Sequence, residues 1–72
     1  MTSGIEKIMK NLGANIRKHR KELKLTQFEL SIQADVTEDY IQFLETGKRK
    51  PSLDVLARIA DALKVEPYEL LM

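Results

Sequence analysis

The sequence contains neither cysteine nor tryptophan, and its 72 residues include only two prolines and three glycines. Without cysteine the chain can form no disulfide framework and no thiolate zinc site, so a domain of this size must be held together by side-chain packing. No apolar run approaches the roughly 18 residues that cross a bilayer, and the beginning lacks the apolar stretch of a signal peptide. We therefore expect a single cytoplasmic domain over residues 1–72 that makes no contact with a membrane.

Residue types that carry catalysis or bind metals are equally scarce. The one histidine, His19, has no second histidine and no cysteine near it, so we expect a partly buried place on a helix and no metal role. The sequence offers no nucleophile paired with a base and no glycine-rich loop for phosphates. We predict a protein that is not an enzyme and that uses no cofactor and no small-molecule ligand.

The formal net charge is only +1, but the charges are unevenly distributed along the chain. Residues 7–24 carry seven basic side chains against one acid, whereas residues 26–46 carry five acids and no base, and three basic residues follow at 48–50. Two basic blocks around an acidic middle indicate a polyanionic partner. Solvated helix faces produce the same pattern, so charge alone leaves both interpretations open.

Start and stop signals divide the chain into helices with very short connections. Thr26 and Glu29 form a capping box, Gly47 is a helix stop, and Pro67 is a favoured first helical residue. Gly13 falls inside the first helix, at some cost relative to alanine. The predicted helices span 6–24, 27–34, 37–46, 52–64 and 67–71. The inward face of the fourth is predicted to be Leu53, Leu56, Ile59, Ala60 and Leu63. The fold class is all-α, a compact five-helix domain.

The second and third helices, at 27–34 and 37–46, are joined by a turn of about three residues. Two short helices so joined cross steeply, and such a pair can place its second helix in the major groove of DNA. The groove is about 12 Å wide and admits one helix. A generic helical hairpin gives a similar pattern, so the spacing by itself does not decide between them.

Residues 12–71 resemble the phage-repressor-type helix-turn-helix regulators, also called Cro-like or XRE-type. The resemblance is carried by TQFEL at 26–30, LETGKRKPS at 44–52 and LARIADALKV at 56–65. It implies a regulator of transcription, a repressor in most cases, that recognises a palindromic operator in double-stranded DNA as a homodimer. The helix at 37–46 would then lie in the major groove.

The resemblance also implies residue roles. Arg20 and Glu45 match an ion pair between the first and third helices. Gln27 matches a glutamine that contacts a phosphate and supports the recognition helix. The other implied phosphate contacts are Thr26, Thr37, Lys48, Arg49 and Lys50. The implied base-reading residues are Glu38, Asp39, Gln42 and Phe43. The apolar end at Leu70, Leu71 and Met72 either caps the core or, as the family implies, forms part of a dimer interface.

Several side chains have two interpretations. Glu38 and Asp39 are acids where DNA is approached, so they stabilise the helix dipole, discriminate bases by accepting from cytosine N4, or do both. Phe43 either contacts a thymine methyl group or packs against Phe28. Phe28 and Ile32 either close the core against the first helix or form an apolar patch for another protein. In the second case the chain would be a protein-interaction module on the same fold.

Overall fold

The computed structural model describes residues 3–72, so Met1 and Thr2 lie outside the described part. It contains four α-helices and a short 3-10 helix, with no strand among the described residues. The helices are α1 (Gly4–Glu22), α2 (Gln27–Ala34), α3 (Glu38–Glu45) and α4 (Leu53–Leu63), followed by the 3-10 helix Pro67–Leu70. The predicted all-α class is confirmed. The prediction of a fifth α-helix at 67–71 is wrong, because the backbone hydrogen bonds of this segment join residues three apart, such as Leu71 N to Tyr68 O at 3.0 Å, as in a 3-10 helix.

Each α-helix begins at a serine or threonine whose side chain accepts a hydrogen bond from a backbone amide three residues later. Thr26 and Glu29 form the predicted capping box, with bonds of 3.0 and 2.8 Å. Thr37 accepts from the amide of Tyr40 at 3.1 Å and so sets the first turn of α3. Because these caps are local, α2 and α3 begin within one residue of the predicted positions.

Each α-helix is followed by a residue of positive φ. The amide of this residue and the amide of the next one each donate a hydrogen bond to a carbonyl oxygen in the last turn of the helix. Asp35 takes this conformation after α2, and Gly47 takes it after α3, where the sequence predicted a helix stop. Helix α1 ends at Glu22, two residues before the predicted boundary, and Lys24, with φ of 58°, reverses the chain after it. The left-handed residues are Lys24, Asp35, Gly47 and Lys64. These reversals keep the connections short and turn each helix sharply onto the next.

The core lies between all the helices and is built from aliphatic side chains, among them Ile16, Leu30, Ile41, Leu44, Ile59 and Leu70. Leu53 was predicted to face inward but is 84% exposed, because it occupies the first position of α4. Phe28 and Ile32 are 55% and 62% exposed, so the prediction that they close the core is wrong. Helix α2 packs on α3 and α4 through Leu30, Ser31 and Ala34, a face that leaves both side chains outside.

The contact between α1 and α3 is unusually close at Gly13. A Cβ atom built on Gly13 would meet the carbonyl oxygens of Leu44 and Glu45, the latter at 2.7 Å. Both atoms belong to backbone, so neither can move aside without shifting α3. The glycine that helix propensity disfavours is therefore required by the approach of α3.

Replacing Gly13 with alanine should destabilise the fold by about 1–3 kcal/mol, because the added methyl group forces α1 and α3 apart. Helix propensity alone predicts a gain of about 1 kcal/mol, so the sign of the change distinguishes the two effects. Thermal or urea unfolding measures it. Gly4→Ala is the matched control, since nothing lies within 4 Å of its Cβ position. A Gly13→Ala variant as stable as Gly4→Ala would contradict the close approach.

Candidate nucleic-acid interface

A buried ion pair joins the end of α1 to the end of α3. Arg20 Nε donates to Glu45 Oε2 at 2.6 Å and Arg20 Nη2 donates to Glu45 Oε1 at 3.0 Å. The remaining terminal nitrogen, Nη1, donates to the carbonyl oxygen of Leu25 at 2.9 Å. The Glu45 side chain is only 4% exposed. A two-point contact of this kind fixes both distance and angle, so it orients α3 against α1.

Gln27 connects α2 to the same carboxylate. Its Nε2 donates to Glu45 Oε1 at 3.1 Å, so Glu45 accepts from residues on two other helices. The first residue of α2 is thereby held beside the last residue of α3. Support of α3 by Gln27 is what the resemblance implies, and the bond to Glu45 is how it is made. The phosphate contact of Gln27 stays a prediction.

Helix α3 buries Ile41 and Leu44 and leaves its other face open. The exposed side chains on α3 include all four implied base-reading residues, Glu38, Asp39, Gln42 and Phe43. Glu38 and Asp39 lie in the first turn, directly after the N-cap Thr37, where a carboxylate stabilises the helix dipole. Both acids therefore interact favourably with the dipole of α3. Their role toward bases, and that of Gln42 and Phe43, stays a prediction.

The basic loop, which we define as Lys48, Arg49 and Lys50, is exposed and adjoins α3. Its path is set by Gly47, whose amide donates to Leu44 O at 3.2 Å, and by Lys48, whose amide donates to Phe43 O at 2.8 Å. These bonds cap the last turn of α3. The exposed face of α3 and three positive side chains are thus placed on one continuous stretch of chain.

The implied dimer residues divide into two kinds. The assignment of Leu70 to an interface is wrong for its side chain, which is fully buried in the chain's own core. Leu71 and Met72 are exposed. Asn15 holds this end of the chain, because its Nδ2 donates to the carbonyl oxygens of Leu70 and Met72, each at 3.0 Å.

Two other features of the described residues bear on possible functions. His19 Nδ1 lies 3.5 Å from Glu22 Oε1 on the same helix, and no group of three potential metal ligands forms within residues 3–72. No helix in the described range has both the length and the apolar character that crossing a membrane requires.

Arg58 on α4 is a structural residue that the sequence reasoning missed. Its Nη1 lies 3.3 Å from the carbonyl oxygen of Asp35 and 3.6 Å from Asp35 Oδ2, and its Nη2 lies 3.5 Å from Asp54 Oδ2. The turn between α2 and α3 is therefore attached to α4. The spacing of Asp54 and Arg58 along a helix was the one signal in the sequence.

The helix-turn-helix family profile matches residues 16–70, more than half of the chain. The chain belongs to this helix-turn-helix family. The resemblance to phage-repressor-type, XRE-type regulators is thereby confirmed. One relative is an HTH-type transcriptional regulator of Methanothermobacter thermautotrophicus, 52% identical over 54 residues, which cover 75% of this chain and 78% of the relative.

Solved structures of helix-turn-helix proteins share the fold. The restriction-modification controller protein C.AhdI from Aeromonas hydrophila has a TM-score of 0.83 and 31% identity, over 86% of this chain and 94% of that chain. The P22 c2 repressor, solved in complex with a synthetic operator, has a TM-score of 0.81 and 32% identity, over 83% and 91%. The chain is therefore similar both to a controller protein and to a repressor of this family.

Breaking the buried pair from one side should destabilise the domain severely. Arg20→Met leaves the Glu45 carboxylate buried without a countercharge and should cost about 3–5 kcal/mol in chemical unfolding. The double variant Arg20→Met/Glu45→Leu should recover most of this loss, because no charge remains buried. As a control, Asp54→Asn removes an exposed partner of Arg58 and should cost at most about 1 kcal/mol. Equal losses for Arg20→Met and Asp54→Asn would contradict the orienting role of the pair.

Proposed function

We propose that the chain is a regulator of transcription that binds a palindromic operator in duplex DNA as a homodimer, with α3 in the major groove. The observation that carries the proposal is the fixed position of α3. Its last residue, Glu45, is bound by Arg20 and Gln27, while its exposed face lies beside the basic loop. One rigid helix with a basic border is the geometry that the major groove and its flanking phosphates require.

The phosphate contacts fall to the residues around the two helix starts and the basic loop. Lys48, Arg49 and Lys50 are exposed, and among the described residues no carboxylate pairs with them. Positive side chains in this state can release counterions from DNA, which supplies most of the affinity that is independent of sequence. The exposed residues Thr26 and Thr37, with the partly exposed Gln27, add neutral contacts at the starts of α2 and α3.

Sequence discrimination falls to the exposed face of α3. Gln42 can pair with adenine through two hydrogen bonds, and Phe43 can contact a thymine methyl group. Glu38 and Asp39 repel phosphates and accept hydrogen bonds only from suitable bases such as cytosine. The acids therefore penalise wrong sequences more than they strengthen binding to the right one. On this account the basic loop provides affinity and the start of α3 provides exclusion.

A homodimer matches the two-fold symmetry of a palindromic operator. The support within this chain is the exposed apolar group at its end, Tyr68, Leu71 and Met72. The similarity to the P22 c2 repressor, which was solved on an operator, supports repression as the mode of regulation.

Selection from a pool of randomised duplexes tests the proposed function. The expected product is an inverted repeat with half-sites about one helical turn, some 10 base pairs, apart. Enrichment of single half-sites would contradict the homodimer. Failure to retain any duplex at low salt would contradict DNA binding altogether and favour the protein-interaction module, for which the exposed pair Phe28 and Ile32 is the specific support.

Removing two positive charges from the basic loop should weaken binding to every duplex. For Lys48→Ala/Lys50→Ala we expect the slope of log affinity against log salt to fall in magnitude by about 4, because each of the two protomers loses two charges, with the selected sequence unchanged. Lys18→Ala is the matched control, because it removes an exposed charge from the side of α1 opposite Ile16 and Arg20. A changed sequence preference in the loop variant, or an equal loss in the control, would contradict the assigned role.

Removing a base contact should change the sequence preference and leave the salt dependence of binding nearly unchanged. For Gln42→Ala we expect preference to relax at one base pair of each half-site, with a loss of about 1–3 kcal/mol there and little change in salt dependence. Competition between single-base variants of the selected operator measures this. An unchanged preference at every position would remove Gln42 from the base-reading surface.

A further inference from the structure

The aromatic ring of Tyr40 lies beside the proposed DNA surface, and Tyr40 is not among the proposed base or phosphate contacts. It is the third residue of α3, and its amide donates to Thr37 Oγ1 at 3.1 Å in the N-cap. Its side chain is partly buried and packs against the hydrophobic core. Because both backbone and ring are held, the ring presents one face in a defined direction.

Arg49 lies over that face. The guanidinium carbon of Arg49 is 5.3 Å from the centroid of the Tyr40 ring, within the range of a cation–π contact. The contact returns the loop to the first turn of α3, although Arg49 follows the last residue of that helix by four positions. The backbone bonds made by Gly47 and Lys48 to the end of α3 set up this reversal.

The contact places the guanidinium carbon over the ring, and no hydrogen bond or ion pair among the described residues occupies the N–H groups of Arg49. These N–H groups can therefore bind a phosphate in the two-point geometry that arginine favours. Lys48 and Lys50 have no such aromatic partner among the described residues. Their flexible side chains lose rotamer freedom when they bind, whereas Arg49 has already lost much of it.

We propose that Tyr40 is a positioning residue that orders Arg49 before DNA arrives, so that Arg49 makes the most strongly oriented phosphate contact of the basic loop. This inference rests on the proposed function, since it names which residue of that surface is preorganised and by what. Preorganisation strengthens binding by reducing the ordering cost at the moment of association. It acts on all sequences alike, because a phosphate contact carries no base information.

The test measures duplex affinity for Tyr40→Leu, Tyr40→Phe, Arg49→Ala and the double variant Tyr40→Leu/Arg49→Ala. Tyr40→Leu should bind every duplex about five- to thirty-fold more weakly, because the dimer loses two exposed cation–π contacts, each of which contributes about two- to five-fold. Tyr40→Phe keeps the ring face and should retain affinity within about two-fold. Tyr40→Leu keeps the Arg49 charge, so its salt slope should match that of the unmodified protein, whereas Arg49→Ala should lower the slope by about 2, one contact for each protomer of the dimer.

Coupling between the two residues decides the assignment. In the Arg49→Ala background, Tyr40→Leu should have no further effect on affinity. An equal loss with and without Arg49, or an equal loss for Tyr40→Phe and Tyr40→Leu, would overturn the inference. Thermal unfolding of each variant separates a loss of fold from a loss of positioning. If the unmodified protein binds no duplex, the proposed function itself fails; if it binds and the Tyr40 variants match it, only this inference fails.

Discussion

The orientation of α3 depends on one buried carboxylate. Glu45 accepts two hydrogen bonds from Arg20 on α1 and a third from Gln27 on α2, so three helices meet at a single charged group. Removing either residue would leave the other charge buried without a partner, which strongly destabilises a folded domain. Arg20 and Glu45 are therefore expected to be tolerated only together. Gly13 lies at the same contact between α1 and α3, where a Cβ atom would meet the backbone carbonyl oxygens of Leu44 and Glu45.

In the proposed function, the surface built on this frame divides affinity and discrimination between two segments. The first turn of α3 is negative, and its acids suit the helix dipole whatever they do to bases. The positive charges lie after the helix, beyond Gly47, on a loop whose backbone is bonded to the last turn of α3. A rigid acidic helix with a basic border can be attracted to DNA in general and still reject most sequences.

Local signals predicted the parts of the fold that local chemistry decides. Thr26 and Glu29 form the expected capping box and Gly47 ends α3 as expected, because each acts on its own backbone. The exposure of Phe28 and Leu53 was not predictable, since helical spacing marks apolar residues but does not say which face finds a neighbour.

Tertiary contacts were beyond the sequence for a related reason. Helix propensity marks Gly13 as a weak point in α1, and only the close approach of α3 explains it. The contact of Arg49 with Tyr40 depends on a chain reversal that no residue pattern encodes. For the site, the family resemblance supplied the residues, and the structure supplied the reason that Arg20, Gln27 and Glu45 occur together.

The most direct test of the central claim, that α3 and the basic loop form one DNA-binding surface, is an NMR titration of the protein with a duplex at low salt. The account predicts backbone amide shifts concentrated at the exposed residues of α3, at the starts of α2 and α3, and at residues 48–50. Shifts concentrated instead around Ile32 on the outer face of α2, or no shifts at all, would contradict it.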